Sequence, residues 1–220
     1  MNRAAEEVRF EGPEGVLEGL YELPDGPLRG AAVVCHPLPT HGGTMRNTLV
    51  YRMARALRAA GFATLRFNFR GVEGSAGAFD GEGAEEEDVL AALDWLEARH
   101  DGRPLWAAGY SFGSRTVSHL ALREPRIRRV FLLALPVAHY DCGALRELTT
   151  PGLVVFGGGD PFGTSTELAQ TLGRVPEGLE VHEIPGADHF FRGRTPLVEE
   201  AVRDHALQHA PSAPPESPRP

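Results

Sequence analysis

The sequence predicts an α/β fold in which a mostly parallel β-sheet is covered by helices on both faces. Short apolar runs, each suited to a strand buried on both faces, alternate along the chain with segments of helical periodicity. This alternation is typical of parallel sheets, whose strands are joined by crossing helices. The 220 residues suffice for one domain with a sizeable core.

The predicted strands begin with an antiparallel hairpin. Two alternating segments, residues 8–11 and 16–22, flank the turn sequence GPEG. The remaining predicted strands are residues 31–36, 62–69, 104–109, 128–135, 152–157 and 179–184. Ligands of such sheets bind at the carboxyl ends of the parallel strands, so the functional loops are expected there.

Helical patterns fill the intervals between these strands. Apolar residues recur at helical spacing from Leu49 to Leu57 and stop before Gly61, which suits a helix end. A second helix is predicted from about residue 85 to 99, and its four acidic residues at 85–88 suit the positive end of a helix dipole. We therefore interpret this acidic run as a helix start, not as a metal site. Further helices are predicted before Pro125, between the last two strands, and after Thr195.

The charge balance disfavours two classes of partner. The chain has 22 basic and 30 acidic residues, a formal net charge of −8, so nucleic acid and anionic membrane surfaces are not expected partners. All basic residues are arginines, because the chain contains no lysine. A Schiff-base lysine, a phosphate-loop lysine and a Ser–Lys dyad are thereby excluded.

The chain shows no sign of export. The first ten residues lack the apolar segment of a secretory signal, no apolar run is long enough to span a membrane, and two cysteines do not form a disulfide framework. We expect a cytoplasmic protein with one domain over residues 1–209. Residues 210–220 are rich in proline and are expected to form a loose tail.

A serine between two glycines is the first candidate catalytic residue. Ser111 lies in the sequence GYSFG, directly after a predicted strand and before a predicted helix. A strand that turns at once into a helix lifts the residue at the bend clear of the sheet, and side chains at Gly109 or Gly113 would collide with the crossing segments. This context predicts a nucleophile.

The nucleophile needs a base and a carboxylate. His189 lies in the loop after the last predicted strand, at the same end of the sheet as Ser111. Asp160 follows the strand at 152–157 and is the preferred acid, with Asp141 as the alternative. Asp188 directly precedes His189, so its carboxylate is poorly placed to bond the imidazole ring of that residue. Of the other histidines, His100 and His119 are interpreted as a surface helix end and a helix face.

An oxyanion intermediate needs two backbone N–H donors. One is expected from Phe112, the residue after the nucleophile, and the other from Leu38. Leu38 lies between Pro37 and Pro39, which have no N–H group.

No metal or cofactor is predicted. His36 and His41 lie in the same loop as Leu38 but have no nearby Asp or Glu partner, and Cys35, in the strand before, is expected to be a small buried residue. We expect His36 to brace the loop through hydrogen bonds and His41 to be exposed or at the pocket rim. The candidate pocket residues are His36, Phe112, Tyr140, Phe162, Phe190 and Phe191.

Taken together, these stretches resemble a family of small bacterial α/β-hydrolases, related more distantly to dienelactone hydrolases and short-chain esterases. The resemblance rests on CHPLPTHGGTMRN, GFATLRFNFRGVEGSAGAFD, AAGYSFGSRT and GADHFF, which lie between about residues 31 and 191. It places the nucleophile on Ser111, the acid on Asp160, the base on His189 and the oxyanion loop on Leu38. Two departures stand out: Glu73 replaces a usual glycine, and the nucleophile is serine where dienelactone hydrolases use cysteine.

The resemblance implies a serine hydrolase that cleaves small carboxylic esters through an acyl-enzyme intermediate. Only 49 positions separate Ser111 from Asp160, which leaves no room for a large cap domain and favours short acyl groups. A thioesterase, amidase or peptidase using the same triad remains an alternative, as does a non-catalytic ligand-binding module. The expected partner is a small-molecule ester, and a homo-oligomer is compatible with the sequence.

Overall fold

One eight-stranded sheet runs through the protein in the computed structural model, which describes residues 5–212. The strands are β1 (Glu6–Gly12), β2 (Gly15–Glu22), β3 (Gly30–Cys35), β4 (Phe62–Phe67), β5 (Leu105–Tyr110), β6 (Ile127–Leu133), β7 (Gly152–Gly157) and β8 (Leu179–Ile184). Their order is β1-β2-β4-β3-β5-β6-β7-β8; β2 pairs antiparallel with β1 and β4, and every other pairing is parallel. The predicted hairpin and mostly parallel sheet are confirmed.

Five helices cover the two faces of this sheet. They are α1 (Thr48–Ala59), α2 (Glu85–Arg99), α3 (Phe112–Ala121), α4 (Ser165–Leu172) and α5 (Thr195–His209). Successive residues of a strand point to opposite faces, so β3 contributes Ala31 and Val33 to the core beneath α2, α3 and α4. Ala32 and Val34 of the same strand join the core beneath α1 and α5. The strands β3, β4, β5 and β7 are buried on both faces, as their apolar runs predict. The prediction is wrong for β8, which lies at the edge of the sheet and exposes four of its six residues.

Two strands end two residues earlier than their apolar patterns predict. β4 stops at Phe67; the Asn68 N–H still donates to the Glu18 carbonyl of β2 at 3.0 Å, and the Asn68 side chain accepts from the Met45 N–H at 2.8 Å. β6 stops at Leu133, because Ala134 has a φ of 48°, which no strand residue adopts. Both early ends lie at the carboxyl edge, where the loops turn to form the candidate site.

The acidic first turn of α2 forms hydrogen bonds with the loop that precedes the helix. The helix begins at Glu85, as predicted. The Asp88 carboxylate is fully buried and accepts bonds from the Arg70 backbone N–H and guanidinium, at 3.0 and 2.8 Å. Burial raises the pKa of Asp88, and the bonds from Arg70 oppose that rise. The Asp88 carboxylate therefore anchors the loop after β4.

The interpretation of His100 as an exposed helix end is wrong. His100 is buried, and its Nε2 lies 2.8 Å from the hydroxyl oxygen of Tyr21 on β2. Burial lowers the pKa of this imidazole. The contact joins the end of α2 to the edge hairpin, a tertiary arrangement that local periodicity does not encode.

The predicted tail lies largely outside the described residues. Residues 210–212 are described, and the Pro211 carbonyl accepts a 3.0 Å hydrogen bond from Arg29. Residues 1–4 and 213–220 fall outside, so the division at residue 209 stays a prediction. Over residues 5–212, no helix has the length and apolar character needed to cross a membrane.

Candidate active site

Ser111 occupies a strained backbone conformation at the carboxyl end of β5. It joins β5 to α3 with φ 53° and ψ −115°, a combination that residues with side chains rarely adopt. Its N–H donates to the Leu133 carbonyl at 2.9 Å, which ties the bend to the neighbouring strand. The serine side chain is thereby held above the sheet edge.

The flanking glycines are required by close backbone contacts. A Cβ atom at Gly109 would overlap the carbonyl group of Gly113 one turn into the helix. A Cβ atom at Gly113 would lie 2.6 Å from the His36 carbonyl oxygen and 2.7 Å from that of Cys35. Because both positions lack a side chain, α3 can begin directly against β3, as the sequence context predicts.

The structure brings Ser111, His189 and Asp160 into one hydrogen-bonded chain. His189 Nδ1 lies 2.7 Å from Asp160 Oδ2, and His189 Nε2 lies 2.9 Å from Ser111 Oγ. A carboxylate can only accept, so Nδ1 carries the proton and Nε2 accepts from the serine hydroxyl. This tautomer is the one that a general base acting on Ser111 requires.

Both carboxylate oxygens of Asp160 are used. Oδ1 accepts the Phe162 N–H at 2.8 Å, and the aspartate is only 3% exposed. The alternative acid, Asp141, is exposed and accepts the Gly143 N–H at 2.8 Å. Asp188 bonds the Arg192 side chain at 2.7 Å. The contact with His189 therefore belongs to Asp160.

Aromatic rings surround the imidazole of His189. The Phe162 and Phe190 ring centroids lie 4.5 and 5.5 Å from that of His189, and the Tyr110 centroid lies 5.6 Å away. The Tyr110 hydroxyl donates to the His189 carbonyl at 3.0 Å. Burial raises the pKa of Tyr110, so it stays a protonated donor. These contacts restrict the ring to one orientation.

His36 is a structural part of the loop that carries Leu38. Its Nε2 lies 3.1 Å from the Phe69 nitrogen, which can only donate, so Nδ1 carries the proton and donates to the Pro37 carbonyl at 2.7 Å. Burial lowers the pKa of His36 to about 4, so the ring is neutral. His36 thus braces the loop as expected.

The Pro37 carbonyl shares a peptide plane with the Leu38 N–H. In a trans peptide the C=O and N–H groups point in opposite directions, so the His36 bond directs the Leu38 N–H away from His36. The Leu38 carbonyl in turn accepts the N–H groups of His41 and Gly43, each at 3.1 Å. Phe112 opens α3, so its N–H has no partner within the helix.

A cavity of about 400 Å³ opens beside Ser111. It is lined by Pro37, Leu38, His41, Gly42, Gly43, Asn47, Tyr110, Ser111, Phe112, Pro136, His139, Tyr140, Phe162, His189 and Phe190. The candidate pocket residues Tyr140, Phe162 and Phe190 are among these lining residues, and His41 stands exposed at the rim.

Two candidate pocket residues are placed elsewhere. His36 is fully buried beneath the loop and does not line the cavity. Phe191 has a φ of 49° and lies in the core under α1 and α5. Sequence reasoning missed Asn47 and His139; the position of His139 after a predicted strand end was the available signal.

Glu73, the departure from the usual glycine, does not reach the cavity. It takes a φ of 47°, a left-handed conformation that explains why glycine is common there. Its carboxylate accepts from the Asn68 side chain at 2.8 Å. The substitution is accommodated in the loop beneath the site.

Among residues 5–212, one trio has the side chains for a metal ion, namely Glu180, His205 and His209. Glu180 lies near the amino end of β8, opposite to the edge that holds Ser111. The Arg129 guanidinium lies 3.0 Å from His205 Nε2. A cation bound to His205 would face that positive charge, so these residues do not fit a metal well.

Comparison with known proteins gives consistent matches. A family model described as alpha/beta hydrolase domain matches residues 37–213. An uncharacterized protein of Rickettsia prowazekii is 33% identical over 210 residues, covering 91% of this chain and 88% of the relative.

Two solved structures are similar over most of their length. One, from Xanthomonas campestris, is described as an α/β serine hydrolase without a lid; it has a TM-score of 0.87 and 29% identity, over 97% of this chain and 99% of that one. An α-β serine hydrolase homologue from Coxiella burnetii has a TM-score of 0.86 and 33% identity, over 92% and 98% of the two chains.

Proposed function

The chain belongs to the α/β-hydrolase domain family, and from that membership we propose that it is a serine hydrolase cleaving small carboxylic esters with short acyl groups. The proposed catalytic residues are Ser111 as nucleophile, His189 as base and Asp160 as acid. The observation that carries the proposal is the continuous hydrogen-bonded chain from Ser111 Oγ through both His189 nitrogens to Asp160, at 2.9 and 2.7 Å.

The first half-reaction is acylation of Ser111. His189 Nε2 takes the hydroxyl proton as Oγ forms a bond to the ester carbonyl carbon, and the carbonyl π electrons move onto oxygen. The Leu38 and Phe112 N–H groups stabilise this oxyanion. When the carbonyl re-forms, the C–O bond to the alcohol breaks, and His189 returns the proton to the leaving alcohol.

The second half-reaction repeats these steps with water. His189 removes a proton from water as its oxygen attacks the acyl carbon, and the second oxyanion uses the same two N–H groups. Collapse breaks the bond to Oγ, and His189 gives the proton back to Ser111. Asp160 stays ionised throughout and stabilises the imidazolium, for which its buried carboxylate is well placed.

Within residues 5–212 no domain covers the site, and the preference for small esters rests on this observation. The connection between β6 and β7 contains only a short 3₁₀ helix, Gly143–Glu147, and the connection between β7 and β8 contains only α4. No described segment is large enough to bind a long acyl chain over the cavity. Short acyl groups therefore fit best.

Labelling with a serine-directed fluorophosphonate tests the proposal. We expect one adduct on Ser111, which is lost in Ser111→Ala and kept in Ser118→Ala, a serine of the same helix that bonds to the Arg115 carbonyl. An unlabelled wild-type protein would favour the ligand-binding module. Matched ester, thioester and amide substrates with one acyl group then decide between esterase, thioesterase and amidase.

A further inference from the structure

The lining of the cavity beside Ser111 is poor in ionisable carboxylate and guanidinium groups. None of the residues of the described chain that line it carries a carboxylate or guanidinium group, and the polar side chains other than those of the proposed triad are His41, Asn47, Tyr110, His139 and Tyr140. A charged ligand group entering this cavity would lose hydration without gaining an opposite charge. The lining therefore favours neutral ligands.

The mouth of the cavity exposes aromatic surface. Phe162 is 36% exposed and Phe190 is 50% exposed, which is unusual for large apolar side chains that flank one site. The His139 ring lies against Phe162 with centroids 4.8 Å apart and planes 37° from parallel. A flat apolar group bound at this wall would cover surface that is otherwise in water.

Two guanidinium groups lie against aromatic rings that line the cavity. The Arg115 Cζ lies 4.8 Å from the Tyr140 ring centroid, and the Arg192 Cζ lies 4.5 Å from that of Phe190. Arg192 is also paired with Asp188 at 2.7 Å. The net charge of −8 adds a general repulsion of anions.

We propose that this cavity binds the alcohol part of a neutral ester and that this part carries an aromatic ring lying against Phe162 and His139. The inference rests on the proposed function and names its substrate class, a short acyl ester of an uncharged aromatic alcohol. A short acyl group alone would leave much of the 400 Å³ cavity filled with water, whereas an added ring occupies it.

Paired substrates with a common acetyl group test the two parts of this proposal. Benzyl acetate is compared with cyclohexylmethyl acetate for ring type, and 4-carbamoylbenzyl acetate with 4-carboxybenzyl acetate for charge. We expect kcat/KM to be about three- to tenfold higher for the benzyl ester, as aromatic pairing implies. We expect the carboxylate to lower kcat/KM by on the order of 100-fold relative to the carboxamide.

Two cavity variants test which residues produce the preference for an aromatic ring. In Phe162→Leu and in His139→Leu, the benzyl to cyclohexylmethyl ratio of kcat/KM is expected to fall towards one. Tyr51→Leu is the matched control, because Tyr51 is an exposed aromatic residue of α1 outside the cavity, and the ratio should not change. An unchanged ratio in both cavity variants would overturn the proposed ring position.

A binding measurement separates this inference from the proposed function. The non-hydrolysable amides N-benzylacetamide and N-(cyclohexylmethyl)acetamide are titrated into Ser111→Ala by calorimetry, and the benzyl compound should bind more tightly. If fluorophosphonate fails to label Ser111, the proposed function fails, but this titration still tests the cavity. If Ser111 is labelled and neither the amides nor the esters show an aromatic preference, only the present inference fails. A preference for the carboxylate ester that disappears in Arg115→Met would also overturn it.

Discussion

His36 Nδ1 donates a 2.7 Å hydrogen bond to the carbonyl of Pro37, the carbonyl whose peptide plane also carries the Leu38 N–H. This single bond sets the direction of the donor that we propose for the oxyanion. His36 itself is fully buried and does not line the cavity, so it acts as a positioning residue.

Replacing His36 with phenylalanine removes that bond while keeping an aromatic ring of similar size. We expect kcat for a short acyl ester to fall by about 10- to 100-fold, since misdirecting an oxyanion donor costs less than the ~10²- to 10³-fold of losing one. KM should change little, because the ground-state ester makes weaker use of this donor. Steady-state kinetics measures the separate effects on kcat and KM.

His36→Asn separates positioning from a general loss of stability. The asparagine amide N–H can take the place of Nδ1–H, so this variant should recover a large part of kcat. Equal losses in both variants, with matching losses of thermal stability, would indicate a purely structural role.

Acid stability should also depend on His36. Its pKa is about 4 in the folded protein and about 6.5 in an unfolded chain. The unfolded state therefore binds the extra proton between these values, so the stability contributed by neutral His36 is present above pH ~6.5 and is lost as the pH falls towards 4. The free energy of unfolding should drop by about 1.4 kcal/mol per pH unit more in wild type than in His36→Asn. Urea denaturation at pH 4.5, 5.5 and 6.5 measures both slopes, and parallel slopes would contradict the assignment.

Asp160→Asn should lower kcat by about 10⁴-fold, because the amide favours the wrong tautomer of His189. Asp141→Asn is the control, since Asp141 is exposed and bonds only within its own loop. Its kinetics should match those of wild type. The reverse pattern would transfer the acid role to Asp141.

Gly43→Ala should damage the oxyanion loop. The added Cβ would overlap the Pro37 carbonyl, so the loop must move the peptide plane that carries the Leu38 N–H. We expect a loss of kcat of about tenfold or more, because a displaced donor stabilises the oxyanion poorly. Gly26→Ala is the control, because its Cβ would meet nothing within 4 Å. Ester turnover by both variants, measured beside their melting temperatures, checks this prediction.

The features that sequence predicted correctly depend on local pattern and chain order. The strand–helix alternation follows from apolar runs and helical spacing, and the bend at Ser111 follows from a strand, two glycines and a helix in succession. His189 and Asp160 could be proposed because the carboxyl ends of parallel strands share one edge.

The features that sequence missed depend on packing between distant segments. Phe190 and Phe191 are identical neighbours, yet Phe191, which takes a left-handed φ, packs in the core, whereas Phe190 lines the cavity. His100 is buried by Tyr21, which lies 79 positions away in the chain. No periodicity in the local sequence encodes these contacts.

Detection of an acyl-enzyme during turnover tests the central claim most directly. The protein is mixed with 4-nitrophenyl acetate, quenched in acid and digested, and its peptides are analysed by mass spectrometry. The proposal predicts one acetyl group, on Ser111, that is absent in Ser111→Ala, and the chain has no lysine to acquire background acetylation. Ester hydrolysis that continues in Ser111→Ala, with acetyl on another residue or on none, would contradict it.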